Sequence, residues 1–234
     1  MLAEITTARR RAEAHRRQPV TGGPVTQERA VRAQGRGTAA RLLAAGLAEL
    51  EERGFQAVTV DDIVRRANTS HGTFYLYFAN KDDFFGALSQ EALRAMDRIT
   101  DEFPVVTPDE AGRAALRKWV GDFCDMYAAH AAVLGALSQA QVVGRDAWEN
   151  GLVHLFRLAD AMSMGMAMGA VRTGTTGGGP PAAHTARLSA VACLMMLERV
   201  NYLLSSGVRL PRDEVVDRLT AIITAAFHPH RGRR

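Results

Sequence analysis

Hydroxyl, imidazole and ammonium groups crowd into one short stretch of this 234-residue chain. Residues 59–81, TVDDIVRRANTSHGTFYLYFANK, hold Thr59, Thr69, Ser70, His71, Thr73, Tyr75, Tyr77 and Lys81, with Gly72 among them. Small hydroxyls and an imidazole at one end of a short helix can reach base edges or phosphates in a major groove. Tyrosine hydroxyls on rigid stems suit phosphate oxygens. Lys81 falls at the first position of a helix, where a cation opposes the macrodipole by roughly 0.3 kcal/mol. A phosphate docked there reverses the sign, because the lysine and the free N–H groups both attract it.

Short helices must position these groups. Thr59 is placed to cap a helix whose Asp62 reaches back, a capping box with Val58 and Ile63 as its apolar staple. The helix ends near Ala67. Asn68, which tolerates positive φ, makes the turn. Thr69 or Ser70 caps a second helix through about Tyr77, and Phe74 and Phe78 turn inward on Ile63 and the helix before. That preceding helix is expected from about Thr38 to Arg53, with Leu43, Leu47 and Leu50 on one face. Gly54 supplies a left-handed ending with Phe55 folded back on Leu50. Asn80 caps the next helix, with Asp82 and Asp83 in its first turn. The pattern is a helix-turn-helix.

The run RGTAARLLAAGLAELEERGFQAVTVDDIVRRANTSHGTFYLYFANKDDFF resembles the N-terminal domain of the TetR family of bacterial transcriptional regulators. The resemblance covers about Arg36 to Phe85, roughly a fifth of the chain. It implies that Thr59, Thr69, Ser70, His71, Gly72, Tyr75, Tyr77 and Lys81 fall on DNA-facing positions, and that the protein is a homodimer on a pseudo-palindromic operator of double-stranded DNA. Asn68 stands where the family most often has glycine, and Thr69 where an apolar residue is common.

Charge is uneven. Residues 1–36 carry eight arginines against three glutamates, a net +5, whereas residues 37–102 carry a net −4 and residues 103–234 a net +3. The helix-turn-helix is therefore not itself a basic body. Residues 1–36, punctuated by Gln18-Pro19 and Thr21-Gly22-Gly23-Pro24, read as a disordered basic arm that tracks phosphates or enters a minor groove. Deleting it should flatten the salt dependence of affinity. The domains expected are thus the arm at 1–36, the DNA-binding unit at 37–82, a helical effector and dimerisation domain at 83–228 and a basic tail at 229–234.

The two cysteines, Cys124 and Cys193, fit a reducing cytoplasm and read as small buried hydrophobes. No uncharged apolar run of about eighteen residues is present, so no membrane span is read, and the N-terminus is too charged for a secretory signal. His15, His71, His130, His154, His184, His228 and His230 show no HExxH or paired metal-ligand spacing. No nucleophile elbow, phosphate loop or dinucleotide fingerprint occurs, and the Gly177–Gly179 run lacks the lysine and preceding strand of a phosphate loop. No catalytic residue, cofactor or metal is expected.

The rest of the chain reads as helix, giving an all-α protein of about nine helices. One is expected at Asn80–Asp101 with Phe84, Leu88, Ala92, Ala95 and Ile99 inward. Another opens at Thr107-Pro108-Asp109-Glu110 with proline at the first position and carries Leu116, Trp119, Val120, Phe123 and Tyr127. Others cover about Ala131–Val142, Arg145–Arg172, Ala183–Ser206 and Arg212–Phe227, with Gly174–Ala182 a disordered loop. Helix 183–206 is apolar nearly all round, so one side packs in its own domain and the other awaits a second subunit. Val215, Val216, Leu219, Ile222, Ile223 and Phe227 could complete a four-helix interface. Met162, Met164, Met166 and Met168 offer adaptable packing. Trp119, Phe123, Tyr127, Trp148, Phe156, Met162, Met166 and Tyr202 are candidate walls of a small-molecule effector pocket, with Glu198 and Asn201 as polar anchors. A ligand-responsive repressor is the leading reading. A ligand-independent regulator or activator and, remotely, a helical enzyme are the alternatives.

Overall fold

The computed structural model describes residues 27–138, 145–172 and 183–227, and among these it is all-α. Nine helices follow in order: α1 Gln27–Ala57, α2 Val60–Arg66, α3 His71–Tyr77, α4 Lys81–Asp101, α5 Glu110–Ala129, α6 Ala131–Leu137, α7 Arg145–Arg172, α8 Ala183–Ser205 and α9 Arg212–Phe227. Two compact units divide them. The first holds the chain as far as Gln90 together with Gly135–Val153, and the second holds Glu91–Leu134 and everything from His154 on.

In the first unit, Leu42, Ala45, Ile63, Val64, Phe74, Phe78 and Phe84 form one buried cluster. α1 starts at Gln27, so its first ten residues fall within the arm expected at 1–36, and residues 1–26 lie outside the described residues. Gly54 takes φ 74° but ψ 159°, so the chain kinks there and helix resumes to Ala57. This is not the left-handed ending expected from the sequence. Phe55 packs edge-on against Phe85 at 4.6 Å, a partner thirty residues away that local spacing does not reveal. The expected stripe of α4 is confirmed in both units, with Phe84, Ala92, Ala95 and Ile99 buried and Leu88 half-buried.

In the second unit, α5, α8 and α9 pack mutually. Leu116, Trp119, Val120, Phe123 and Tyr127 are all buried. The start of α5 corrects the proline reading. Asp109, not Thr107, is the N-cap, since its carboxylate accepts from the Gly112 N–H at 2.8 Å and from the Thr107 hydroxyl at 2.6 Å. A carboxylate is the stronger cap, so Pro108 is left outside the helix. Gly165 and Gly169 let the segment at 103–107 lie directly on α7. A Cβ on Gly169 would stand 1.8 Å from the Val106 carbonyl oxygen, and the Val106 N–H donates to Gly165 O at 3.2 Å.

Of the four methionines on α7, Met162 and Met166 are buried and Met164 and Met168 are exposed, as helical spacing requires of a single core face. Cys124 and Cys193 are buried and free, and burial pushes both thiols up from their ordinary range. Thr185–Ser205 is long enough and apolar enough, with a mean hydropathy of 1.3, to meet the length and composition test for a membrane-crossing helix. The sequence expectation of no span counted only charge-free runs, which Arg187, Glu198 and Arg199 interrupt. The helix buries Ala190, Cys193, Leu194, Leu197 and Asn201 on one side. The loop expected at Gly174–Ala182 and the far end of the helix expected to reach Val142 lie outside the described residues, as does the tail at 229–234.

Candidate nucleic-acid interface

Local capping sets the geometry of α2 and α3. The Asp62 N–H donates to Thr59 Oγ1 at 3.2 Å, while the Thr59 N–H and hydroxyl donate to Asp62 Oδ2 at 3.1 and 2.6 Å. The capping box is complete. Arg53 adds an ion pair to Asp62 at 2.9 Å. The Thr59 hydroxyl, the Arg53 guanidinium and the Thr59 backbone together hold the Asp62 carboxyl far below the usual carboxylate range. Glu49, itself buried, pairs with Arg66 at 2.8 Å and Arg53 at 3.3 Å, and so fastens α1 to α2.

The turn is made by Asn68 at φ 49°. The Thr69 N–H donates to Val64 O at 2.9 Å and the Asn68 N–H to Arg65 O at 3.2 Å. These two bonds are the Schellman pattern, which needs one left-handed residue where they meet. Ser70, rather than Thr69, caps α3, accepting from the Thr73 N–H at 3.2 Å. Asn80 accepts from the Asp83 N–H at 2.8 Å, and Asp83 reaches back to the Ala79 N–H at 2.8 Å, so α4 also starts as expected.

α3 then has an inner face and an outer face. Phe74 and Phe78 are buried against Phe84, with ring centroids 5.4 and 4.9 Å from it. Tyr75 is 56% exposed and Tyr77 38%. Thr59, Ser70, His71 and Gly72 are exposed, and Thr69 and Thr73 are half-buried. A Cβ on Gly72 would meet nothing nearer than Ser70 Oγ at 3.8 Å, so packing within the protein does not demand glycine there. Of the nine expected positions, seven lie on α3 or in the two residues before it, Thr59 caps α2 and Lys81 opens α4, and none of the nine is fully buried.

Lys81 differs from the others in that its charged group is already bound within the protein. Its ammonium donates to the Phe55 carbonyl at 2.6 Å and lies 4.3 Å over the Phe55 ring. Burial lowers its pKa from the ordinary lysine value. The lysine read as a phosphate anchor is turned inward, because the kink at Gly54 leaves a carbonyl oxygen that needs a donor. Two residues escaped the sequence reading. Asp61 binds His71 Nε2 through its Oδ1, so the imidazole is held beside the start of α2. Leu76 is 81% exposed, an apolar residue off the core stripe that helical spacing could have flagged.

The candidate effector residues are less open. In the second unit Trp119, Phe123 and Tyr127 are buried in a row, with centroids 5.7 and 6.3 Å apart, and Met162 and Met166 are fully buried. The Trp119 indole N–H donates to Ile99 O at 2.9 Å. The Tyr127 hydroxyl donates to Glu198 Oε1 at 3.2 Å, and burial with the neighbouring carboxylate pushes its pKa well up. Asn201, buried, donates to Leu197 O at 2.8 Å within its own helix. Tyr202 is half-buried beneath Arg199, whose guanidinium lies 5.0 Å from the ring centre. Phe156 lies under Arg187 at 5.7 Å. Trp148 belongs to the first unit. The described residues contain no cluster of three or more His, Cys, Asp or Glu able to hold a metal.

Residues 42–88 match the family model described as bacterial regulatory proteins, tetR family. The transcriptional regulator AcuR of Cereibacter sphaeroides is 41% identical over 61 residues, 26% of this chain and 28% of that one. The HTH-type transcriptional regulator EthR of Mycolicibacterium smegmatis is 29% identical over 112 residues, 48% of this chain and 51% of that one. The chain thus spans between about a quarter and a half of the curated relatives it matches. Among solved structures, the transcriptional regulator FadR from Bacillus subtilis in complex with stearoyl-CoA superposes with a TM-score of 0.60 at 14% identity, covering 81% of this chain and 99% of that one. At that identity the likeness is one of fold.

Proposed function

We propose, on the premise that this chain belongs to the TetR family of bacterial regulatory proteins, that it is a cytoplasmic, dimeric repressor whose α3 reads a pseudo-palindromic operator and which a small apolar effector releases. The observation that carries the DNA reading is the outer face of α3. Gly72, Tyr75 and Tyr77 contribute to an exposed surface that the core does not need, next to a turn pinned by Asn68 and a helix pinned by the Thr59–Asp62 box. Thr59, Thr69, Ser70, His71, Thr73, Tyr75 and Tyr77 are the contacts to phosphate and base edges, and Gly72 permits close approach of the backbone.

The dimer is supported by α8. Leu188, Met195 and Leu203 are 62%, 40% and 45% exposed. They fall on one helical face and would be covered by a second copy. Ile222 on α9 is half exposed as well. The core of α9, in contrast, is Val215, Val216, Leu219 and Ile223, which are buried within the chain.

The effector reading rests on the fully buried Met162 and Met166 and on the Trp119–Phe123–Tyr127 row of the same unit, adaptable and aromatic walls for a ligand, with Glu198, Asn201 and Tyr202 as polar anchors. Ligand binding would shift the population away from the operator-competent state. The tight packing of that same row favours a second reading, a regulator with a filled core and no ligand.

The test is binding of the full chain to the DNA upstream of its own gene at two salt concentrations, alongside Tyr75→Ala. A footprinted, salt-dependent complex lost in the variant supports the reading. Absence of a sequence-selective complex, there and on DNA selected from a random pool, overturns it. A screen for compounds that weaken the complex then separates the effector-responsive repressor from the ligand-independent regulator.

A further inference from the structure

Among the described residues, Leu76 is the most exposed large apolar side chain, at 81%. Its place on α3 follows from the helical repeat. At about 100° per residue, Leu76 lies about 180° from the midpoint of Phe74 and Phe78, at the centre of the outer face. Tyr75 and Tyr77 flank it on either side. Helical side chains lean toward the N-terminus, so Leu76 leans toward the turn that holds Gly72, four residues earlier. The missing Cβ of Gly72 leaves that space open, with Ser70 Oγ at 3.8 Å the nearest atom.

A leucine so placed stabilises nothing within the protein. The rest of α3, His71-Gly72-Thr73-Phe74-Tyr75-Leu76-Tyr77, holds no arginine, lysine, asparagine or glutamine. The side chains that read guanine or adenine by paired hydrogen bonds are therefore missing from this helix. Of the groups displayed in a major groove, the one an aliphatic side chain can read is the C5-methyl of thymine.

We propose that Leu76 is a specificity-determining residue that packs on a thymine methyl group in each half-site of the operator. The proposal rests on the DNA-binding reading above and goes beyond it by naming one base and one atom. Apolar contact, rather than charge, then sets discrimination at the centre of the footprint, and the surrounding hydroxyls set register on the phosphates.

The experiment uses the full chain and an operator obtained by selection from a random duplex pool. Each thymine is replaced in turn by deoxyuridine, which lacks only the methyl group. For the wild type, affinity should fall roughly three- to five-fold at one thymine in each half-site, the effect of one methyl group left out of an apolar contact. Leu76→Ala should bind the thymine and uracil versions equally at that position. Tyr77→Phe, which loses only a hydroxyl and is weakened overall, should keep the wild-type ratio. Equal affinity for thymine and uracil throughout the wild-type footprint overturns the proposal, as does an unchanged ratio in Leu76→Ala. Failure to select any sequence is a separate result, which removes the DNA-binding reading and the proposal with it.

Discussion

Lys81 and Phe55, twenty-six residues apart, are joined by a 2.6 Å hydrogen bond from the ammonium to the backbone carbonyl. The same lysine covers the Phe55 ring, and Phe55 in turn packs on Phe85. The first turn of α4 is thereby tied to the kink at Gly54. Replacing the ammonium while keeping the stem, as in Lys81→Met, should destabilise the full chain by about 1–2 kcal/mol, because the carbonyl loses its charged donor. Urea unfolding measures this. The slope of log affinity against log salt should stay as in the wild type. A slope shallower by about one would return Lys81 to the phosphate backbone.

Asp62 links stability to acid. Its folded-state pKa is depressed by Thr59 and Arg53. A depressed carboxylate contributes stability above its unfolded value, about 3.9, and loses it as pH falls toward the folded value. Asp62→Asn should therefore be less stable than the wild type at neutral pH, by an amount constant down to about pH 5. The difference should shrink below about pH 4. Denaturation curves at a series of pH values check the sign, and a gap that widened in acid would be the wrong one.

Two helical glycines should respond to alanine with opposite signs. At Gly72 a Cβ enters open space, so Gly72→Ala should raise stability by up to about 1 kcal/mol. The same change should weaken operator binding, since it fills the gap on the outer face. At Gly169 a Cβ would stand 1.8 Å from the Val106 carbonyl oxygen. There the chain must shift, and Gly169→Ala should lose about 1–3 kcal/mol. Calorimetry on both variants, with operator titrations on the first, makes the comparison.

Leu188 and Met195 stand on the exposed side of α8. The double change Leu188→Glu with Met195→Glu should leave helix content intact and convert a dimer to monomer in sedimentation. Carboxylates facing their symmetry mates without partners cost more than the apolar contact they replace. Sedimentation of the variant as a dimer would move the interface elsewhere.

What the sequence made legible was local. Thr59 with Asp62, Asn68 with its following cap, and the Phe74–Phe78 pair each declare themselves within four residues, and the structure bears out all three. What stayed hidden depends on partners far along the chain. Nothing near Lys81 announces a carbonyl twenty-six residues back. Gly165 and Gly169 sit among the methionines of α7 with no local partner to declare their role, and they make room for the backbone at 103–107, some sixty residues earlier. The helical spacing of Trp119, Phe123 and Tyr127 puts them on one face, which is buried, but periodicity is the same for a core and for a pocket wall. Pro108 lies outside the helix because the Asp109 carboxylate, one residue on, is the stronger cap.

The shortness of α3 has a genetic corollary. Seven residues make too few hydrogen bonds to sustain a helix in water, so this one exists because Phe74 and Phe78 are clamped by Phe84 and α2. Its reading surface has no independent existence. In a random mutant library, loss-of-binding alleles should map to buried positions such as Ile63 and Phe84 as often as to the outward residues. A screen scored by phenotype alone would draw the contact map too large. Sorting the alleles by whether the purified variant still unfolds cooperatively would separate damaged scaffolds from damaged contacts.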